Sequence, residues 1–231
     1  VASFIGRFNI PIKHQCSFGE LAKYFNATKN WNARLEVISC TGLTREDLFS
    51  AWKLHWIPTS PAIQNFNACL LYPGFCFFEA TNVSIGRGTS YSFEWFGSSW
   101  MNMDALVAVC KNMFVDDLDL ELLSLAFKFE HSTDWLPGIH CTVRDPKNYD
   151  AVLNGLILLK IVKDLHPQYF QWAPYPTNAN PTGENHLSLL MGVPNAERLF
   201  DLPLKDWLLE MNKLLRVDEW KKEIAPYLLY H

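Results

Sequence analysis

Apolar residues recur in this chain with two different periods, and the stretches that carry each period alternate along it. Val152, Leu156, Leu159, Val162 and Leu165 share one helical face. Asp145-Pro146 before them reads as an N-cap followed by proline at the first helical position, and His166-Pro167 as the stop. Gly155 inside this helix costs about 1 kcal/mol relative to Ala, so another element is expected to pack close there. Leu204, Trp207, Leu208, Met211, Leu214 and Leu215 predict a second helix, and a short one through Trp220 and Ile224 ends at Pro226. Ser17 with Glu20 forms a capping box that opens a helix burying Leu21, Ala22, Tyr24 and Phe25. Thr44 with Asp47 opens a helical turn through Phe49 and Trp52, residues 67–71 predict a short helix closed by Tyr72-Pro73-Gly74, and residues 104–113 predict another.

Strand periods occupy the intervals. Residues 123–130 are apolar at every second position, and residues 35–38 and 139–144 also read as strands. The run Phe75-Cys76-Phe77-Phe78 predicts a buried strand, with a return strand over residues 90–96. Residues 56–61 hold two prolines and predict a rigid extended loop, and residues 174–184 a long surface loop. Helices and strands interspersed in this way predict an α+β fold over residues 1–231, a single domain with a mixed sheet, flanking helices and a helical C-terminal region.

Composition narrows the functional classes. About half of the 231 residues are hydrophobic and the net charge is −4 without any Lys/Arg-rich run, which excludes the electrostatic footprint of a nucleic-acid binder. No uncharged apolar stretch reaches the ~18 residues of a membrane span; residues 153–162 come closest, broken by Lys160, Lys163 and Asp164. The six cysteines form no CxxC pair, which argues against a structural zinc site; most sit in apolar settings and read as buried free thiols, with disulfides the alternative. The first residues carry no signal-peptide pattern. No phosphate-cradling glycine motif, HExxH or G-x-S-x-G elbow is present, so no metal or other cofactor is called. Glu130, His131 and Asp134 lie close in sequence, but on a loop they read as solvated. Asn26 and Asn82 begin glycosylation triplets of a kind common by chance.

The chemistry concentrates in residues 78–89, Phe-Glu-Ala-Thr-Asn-Val-Ser-Ile-Gly-Arg-Gly-Thr. A carboxylate, an amide, hydroxyls and a guanidinium on a glycine-rich turn after an apolar run suit a polar-ligand pocket, or a loop whose polar groups cap one another. Glu79, Asn82, Ser84, Arg87, Thr89, Glu94 and Ser60 are the candidate substrate-binding residues. Glu79 and Glu94 flank the turn, and two carboxylates across a cleft are what glycoside cleavage needs. Glu79 is the one catalytic candidate. An Arg87 facing it favours the ionised form and hence hydroxyl binding over proton donation, unless the two form a purely structural pair.

Taken with their order and spacing, several segments carry a resemblance. Tyr72-Pro73-Gly74 through Glu79, Thr81-Asn82-Val83-Ser84, Gly86-Arg87-Gly88-Thr89, Phe93-Glu94, Gly97 and Trp100 resemble the signature block of the exo-β-N-acetylmuramidases. Pro11-Ile12-Lys13-His14, Gly19-Glu20-Leu21, Trp56-Ile57-Pro58 with Ser60-Pro61, Val143-Arg144-Asp145 and Tyr227-Leu228-Leu229-Tyr230 extend it over nearly the whole chain. The resemblance implies release of terminal N-acetylmuramic acid from peptidoglycan fragments, in a cleft between a Rossmann-like N-terminal domain and a mixed C-terminal one. That family's proposed catalytic Glu lies in a Gly-Pro-Glu-His-type motif that is missing here. The chain is therefore expected to resemble the C-terminal domain alone, with the Rossmann-like domain as a missing segment or partner chain. Its other partner is an N-acetylmuramic acid-containing glycan, held by Arg87 through the lactyl carboxylate. The resemblance favours a periplasmic or secreted setting. Ala62 replaces a usual Asn, Tyr91-Ser92 replace small residues and Pro, and Leu136-Pro137-Gly138 replace Cys-Gly-Gly. With the catalytic motif absent, a non-catalytic glycan-binding or assembly module is the alternative, and a purely structural domain a third.

Overall fold

In the computed structural model, residues 2–3, 5–113, 118–128 and 134–230 are described. The capping box forms: Ser17 N–H donates to Glu20 Oε2 at 2.7 Å and Glu20 N–H to Ser17 Oγ at 3.3 Å, opening α1, Phe18–Thr28. Residues 35–38 form no strand, and Thr44 N–H donates to Asp47 ahead of a 3-10 turn at Phe49–Trp52.

Helix α2 spans Phe66–Phe75, capped by Asn65, whose side chain accepts from Ala68 N–H. It does not stop at Tyr72-Pro73-Gly74, and Phe75–Phe78 is not a strand: α2 runs through Pro73 into a 3-10 turn at Cys76–Ala80. The reason is tertiary. Gly74 abuts the backbone of α4, Ala151–Leu165, where a Cβ would come within 1.9 Å of the Ala151 carbonyl oxygen. A Cβ on Gly155 would lie 2.4 Å from Gly74 Cα, so the close approach expected at Gly155 is a crossing of two helix backbones.

The return strand shrinks to β1, Trp95–Gly97, because residues 88–94 turn. Helix α3, Met103–Met113, follows, then β2 (Leu120–Ser124), β3 (Phe127–Lys128), β4 (Trp135–Leu136) and β5 (Gly138–Val143). The strand period expected over 123–130 is split between β2 and β3, and its last two residues lie outside the described ones, as do Glu130 and His131. The main sheet runs β1-β5-β2, with Trp95 opposite His140 and Leu122 opposite Cys141. Every pairing among the described residues is antiparallel, so the sheet is not mixed; the α+β class is what the structure shows.

Helix α4 begins six residues after Asp145. Asp145 instead closes a turn by accepting from Lys147 N–H and the Asn148 amide, and Asp150 caps the helix through Leu153 N–H at 3.1 Å. Burial covers almost the whole of α4; even Lys160 is buried, its ammonium on Asp164 at 2.6 Å. After the 174–184 loop come α5 (His186–Met191), α6 (Ala196–Leu199), α7 (Leu204–Leu214) and α8 (Asp218–Ile224).

A large core of Phe, Leu and Ile side chains joins α2, α4 and the sheet, while Tyr24, Trp220 and Ile224 form a smaller cluster between α1 and α8. Beside it Glu20, fully buried, binds Arg45 Nη2 at 2.5 Å and accepts from Leu229 N–H at 2.8 Å. Burial alone would raise the Glu20 carboxyl, but the Leu229 and Ser17 N–H groups and Arg45 outweigh it and hold it below its ordinary value. Arg45 also donates to the Tyr230 carbonyl, which clamps the start of the chain to its last residues.

Candidate functional site

Glu79 stands on the 3-10 turn that ends α2. Phe77 and Phe78 in this turn, and Phe75 just before it, are fully buried, while the Glu79 side chain keeps 8% exposure where it meets Arg87. Arg87 reaches it from the glycine turn eight residues on. Its Nε donates to Glu79 Oε1 at 2.5 Å, and Nη2 meets the same oxygen. Tyr175, from the 174–184 loop, donates its hydroxyl to that oxygen too, at 3.2 Å. Three donors therefore converge on Oε1, and among the described residues none reaches Oε2. The Nε–Nη2 edge of the guanidinium is spent on Glu79, while Nη1 has no acceptor among the described residues.

The Arg87 guanidinium also lies over the Phe93 ring, 4.8 Å from its centroid, and Tyr72 meets that ring edge-on at 4.7 Å. Phe93 holds a φ of 61°, strained for a bulky side chain, and its N–H is tied to the Ile85 carbonyl at 3.0 Å. Gly86, at φ 69°, lets the turn close, since a Cβ there would sit 2.9 Å from the Tyr91 carbonyl. Arg87, Phe93, Tyr72, Ser60, Ile63 and Cys69 line a cavity of about 250 Å³.

Behind Tyr175 stands His186, its ring stacked 4.7 Å from the tyrosine ring at 25°. His186 is 4% exposed and neither ring nitrogen has a partner among the described residues. Burial lowers the imidazole from its ordinary value, opposed by the nearby Glu79. Burial likewise raises the Tyr175 hydroxyl, and Glu79 adds to the rise.

The other sequence candidates are placed differently. Glu94 is buried and its two oxygens accept from Asn65 at 2.8 Å and Asn67 at 2.7 Å, tying the start of α2 to the sheet. Asn82 is exposed, but its amide donates to the Tyr169 carbonyl and accepts from Gln171 N–H, which stitches the polar turn to the segment after α4. Ser84 exchanges backbone hydrogen bonds with Gly97, and Thr89 Oγ donates to the Gly86 carbonyl at 2.6 Å. Ser60 borders the cavity while accepting from Ala62 N–H. The structure thus brings Arg87 and Ser60 to the cavity, ties Glu79 to it through Arg87, and spends Asn82, Ser84, Thr89 and Glu94 on holding the loop. Tyr175, His186, Tyr72 and Phe93 were not among the sequence candidates; the aromatic character of residues 72 and 93 was visible, but nothing local marks 175 or 186. Asn26, like Asn82, uses its side-chain amide internally, on both the N–H and the carbonyl of Ala33.

Comparison with known proteins settles the family. Residues 70–230 match the family model described as "Exo-beta-N-acetylmuramidase NamZ, C-terminal" and residues 1–67 the corresponding N-terminal model. The chain belongs to the exo-β-N-acetylmuramidase family. It is 30% identical over 172 residues to the peptidoglycan beta-N-acetylmuramidase NamZ of Bacillus subtilis, covering 74% of this chain and 42% of that protein. Two crystal structures of DUF1343 family proteins from Bacteroides fragilis share the fold, with TM-scores of 0.83 and 0.61 at 21% and 20% identity. Each comparison covers 99% of this chain, and 60% and 59% respectively of the solved one. The chain thus spans less than half the length of its curated relative.

These matches correct one expectation. The chain does not correspond to the C-terminal region alone, because its first 67 residues belong to the N-terminal family model. A separate Rossmann-like chain as partner finds no support, since residues 1–67 match the N-terminal family model. The clamp of Glu20 and Arg45 on Leu229 and Tyr230 joins residues of the two family regions directly. Among the described residues no helix is long and apolar enough to cross a membrane.

Proposed function

We propose that this chain builds the glycan-holding wall of a peptidoglycan glycosidase that acts on a terminal N-acetylmuramic acid. The observation that carries this reading is the asymmetry of Glu79: Oε1 is saturated by Arg87 and Tyr175, while Oε2 and Arg87 Nη1 are left for a ligand. A sugar hydroxyl or amide N–H suits the free carboxylate oxygen, and the lactyl carboxylate suits the guanidinium. The kinship with a protein named as a peptidoglycan beta-N-acetylmuramidase supports that choice of sugar.

The role is holding rather than proton transfer. Arg87 and Tyr175 converge on one oxygen and fix the side chain in place as an acceptor. Glu94, the second carboxylate that a cleaving pair would need, is spent on Asn65 and Asn67. That same observation supports a second reading, a binding module without hydrolytic activity, and release of p-nitrophenol from a p-nitrophenyl N-acetylmuraminide separates the two. The test of the first reading is calorimetric. N-acetylmuramic acid should bind more tightly than N-acetylglucosamine, which lacks the lactyl group. Arg87→Ala should remove that preference, a loss of about 1.5–3 kcal/mol or roughly 10- to 150-fold. Equal affinity for the two sugars, or an Arg87→Ala variant that still prefers the muramyl sugar, refutes it.

A further inference from the structure

His186 has an unusual setting. It is the first residue of the short helix α5, which packs against the turn carrying Glu79. Its imidazole is buried, yet neither nitrogen has a hydrogen-bond partner among the described residues. Burying such a group unpaired costs stability, so the residue contributes nothing to the fold through its nitrogens. Its effect must come from the face of the ring. That face lies on Tyr175, 4.7 Å between centroids, and the Tyr175 hydroxyl is the third donor on Glu79 Oε1. The other restraint on Tyr175 is its own backbone: its N–H donates to the Gly183 carbonyl at 2.9 Å, and Gly183, at φ 70°, leaves no room for a side chain against it.

We infer that His186 is a positioning residue for the glycan-holding carboxylate: its stacked ring fixes Tyr175, Tyr175 fixes Oε1 of Glu79, and Oε2 is thereby presented to the ligand. This role rests on the functional reading above. It assigns a task to a residue outside the polar turn, and it makes the 174–186 segment part of the binding site rather than a surface connection. The stack acts through an aromatic face, so phenylalanine performs it as well as histidine and is free of the cost of burying unpaired nitrogens.

The test is a set of variants titrated with N-acetylmuramic acid, with thermal unfolding measured on each. His186→Phe should keep wild-type affinity and melt at a higher temperature. His186→Ala should bind about three- to tenfold more weakly, the range of an aromatic pair contact. Tyr175→Phe should lose about tenfold, the equivalent of one hydrogen bond to a charged group. Adding His186→Ala to Tyr175→Phe should cost nothing further, since both act through one hydroxyl. If His186→Ala fails to fold, His186→Leu fills the space without an aromatic face and takes its place in the cycle. The role is overturned if His186→Ala or Leu binds like wild type while Arg87→Ala loses the muramyl preference, if His186→Phe loses as much as Ala, or if the two losses add. A wild-type protein that does not distinguish the two sugars overturns the functional reading itself, and this role with it.

Discussion

The crossing of α2 and α4 gives the most exacting test of how this fold is held. Replacing Gly155 by alanine removes a residue that costs a helix interior about 1 kcal/mol, so an isolated helix would gain by that amount. In this protein the new Cβ would lie 2.4 Å from Gly74 Cα, against 3.4 Å for ordinary contact, so the two helices must part by about 1 Å. Gly74 Cα is backbone and the position of the new Cβ is fixed by its own backbone, so no rotamer change relieves the contact. Overpacking a well-filled interior costs about 1–3 kcal/mol, and a clash with no side-chain escape belongs at the upper end. Setting about 3 kcal/mol of strain against about 1 kcal/mol of propensity leaves a net loss of about 2 kcal/mol, or roughly 4–8 °C in Tm for a chain of this size. Gly74→Ala should be worse, because its Cβ would meet the Ala151 carbonyl oxygen at 1.9 Å. Gly6→Ala, with nothing within 4 Å, is the control.

The assay is urea unfolding followed by circular dichroism, with thermal melts alongside. Since α2 continues directly into the turn bearing Glu79, the same variant should weaken binding of N-acetylmuramic acid. A Gly155→Ala protein as stable as wild type, or more stable, would show that propensity dominates and that the helices do not cross this closely.

Three further expectations follow from the buried polar groups. Glu20 is held below its ordinary carboxyl value when folded, so its contribution is complete above the unfolded value and is lost as pH falls through the lower folded one. The Tm advantage of wild type over Glu20→Gln should therefore be widest near neutrality and shrink under acid; a gap that widens on acidification contradicts the sign. Asn67→Leu removes a donor from Glu94, a donor from the Cys141 carbonyl and the acceptor of Val143 N–H, and should cost about 3 kcal/mol or more in urea unfolding. A thiol reagent should modify exposed Cys40 ahead of the others, and Cys76, Cys110 and Cys141 only on unfolding, since burial pushes the first two thiols up to about 12 and the third well above its ordinary value. Rapid reaction of Cys141 in the folded protein would contradict its placement.

What could be read in advance depended on whether the deciding contact was local. The capping box at Ser17 and Glu20 is complete within four residues, and it forms as its sequence states. The strand at residues 139–144 and the helix ending near Leu165 have periods that later packing does not alter. Phe75-Cys76-Phe77-Phe78 is different: four bulky apolar residues suit a buried strand or a buried helix equally. Pro73-Gly74 then looked like a stop, when the glycine is in fact where α4 touches α2. Asp145 lost its cap role to Asp150 because its side chain closes a turn with Lys147 and Asn148 first. In the site, Glu79 and Arg87 were legible because eight residues separate them, whereas Tyr175 reaches Glu79 across 96.

The error over residues 75–78 bears directly on the site. In a strand, Phe75, Phe77 and Glu79 would share one face, and the carboxylate would enter the core with its neighbours or drag them into water. The helical turn removes that conflict, since it buries Phe75, Phe77 and Phe78 and still brings the Glu79 carboxylate to Arg87 rather than among them. It also sets the carboxylate on a rigid support: the α2–α4 contact lies five residues before it and the Thr81 hydroxyl, donating to the Phe78 carbonyl at 2.7 Å, closes the turn two residues after it. A carboxylate fixed from below by helix packing and from the side by Arg87 and Tyr175 has little freedom left to lose when a sugar binds. Loosening the helix packing or the Tyr175 contact should therefore appear as weaker binding at unchanged specificity, whereas removing Arg87 should change the specificity itself.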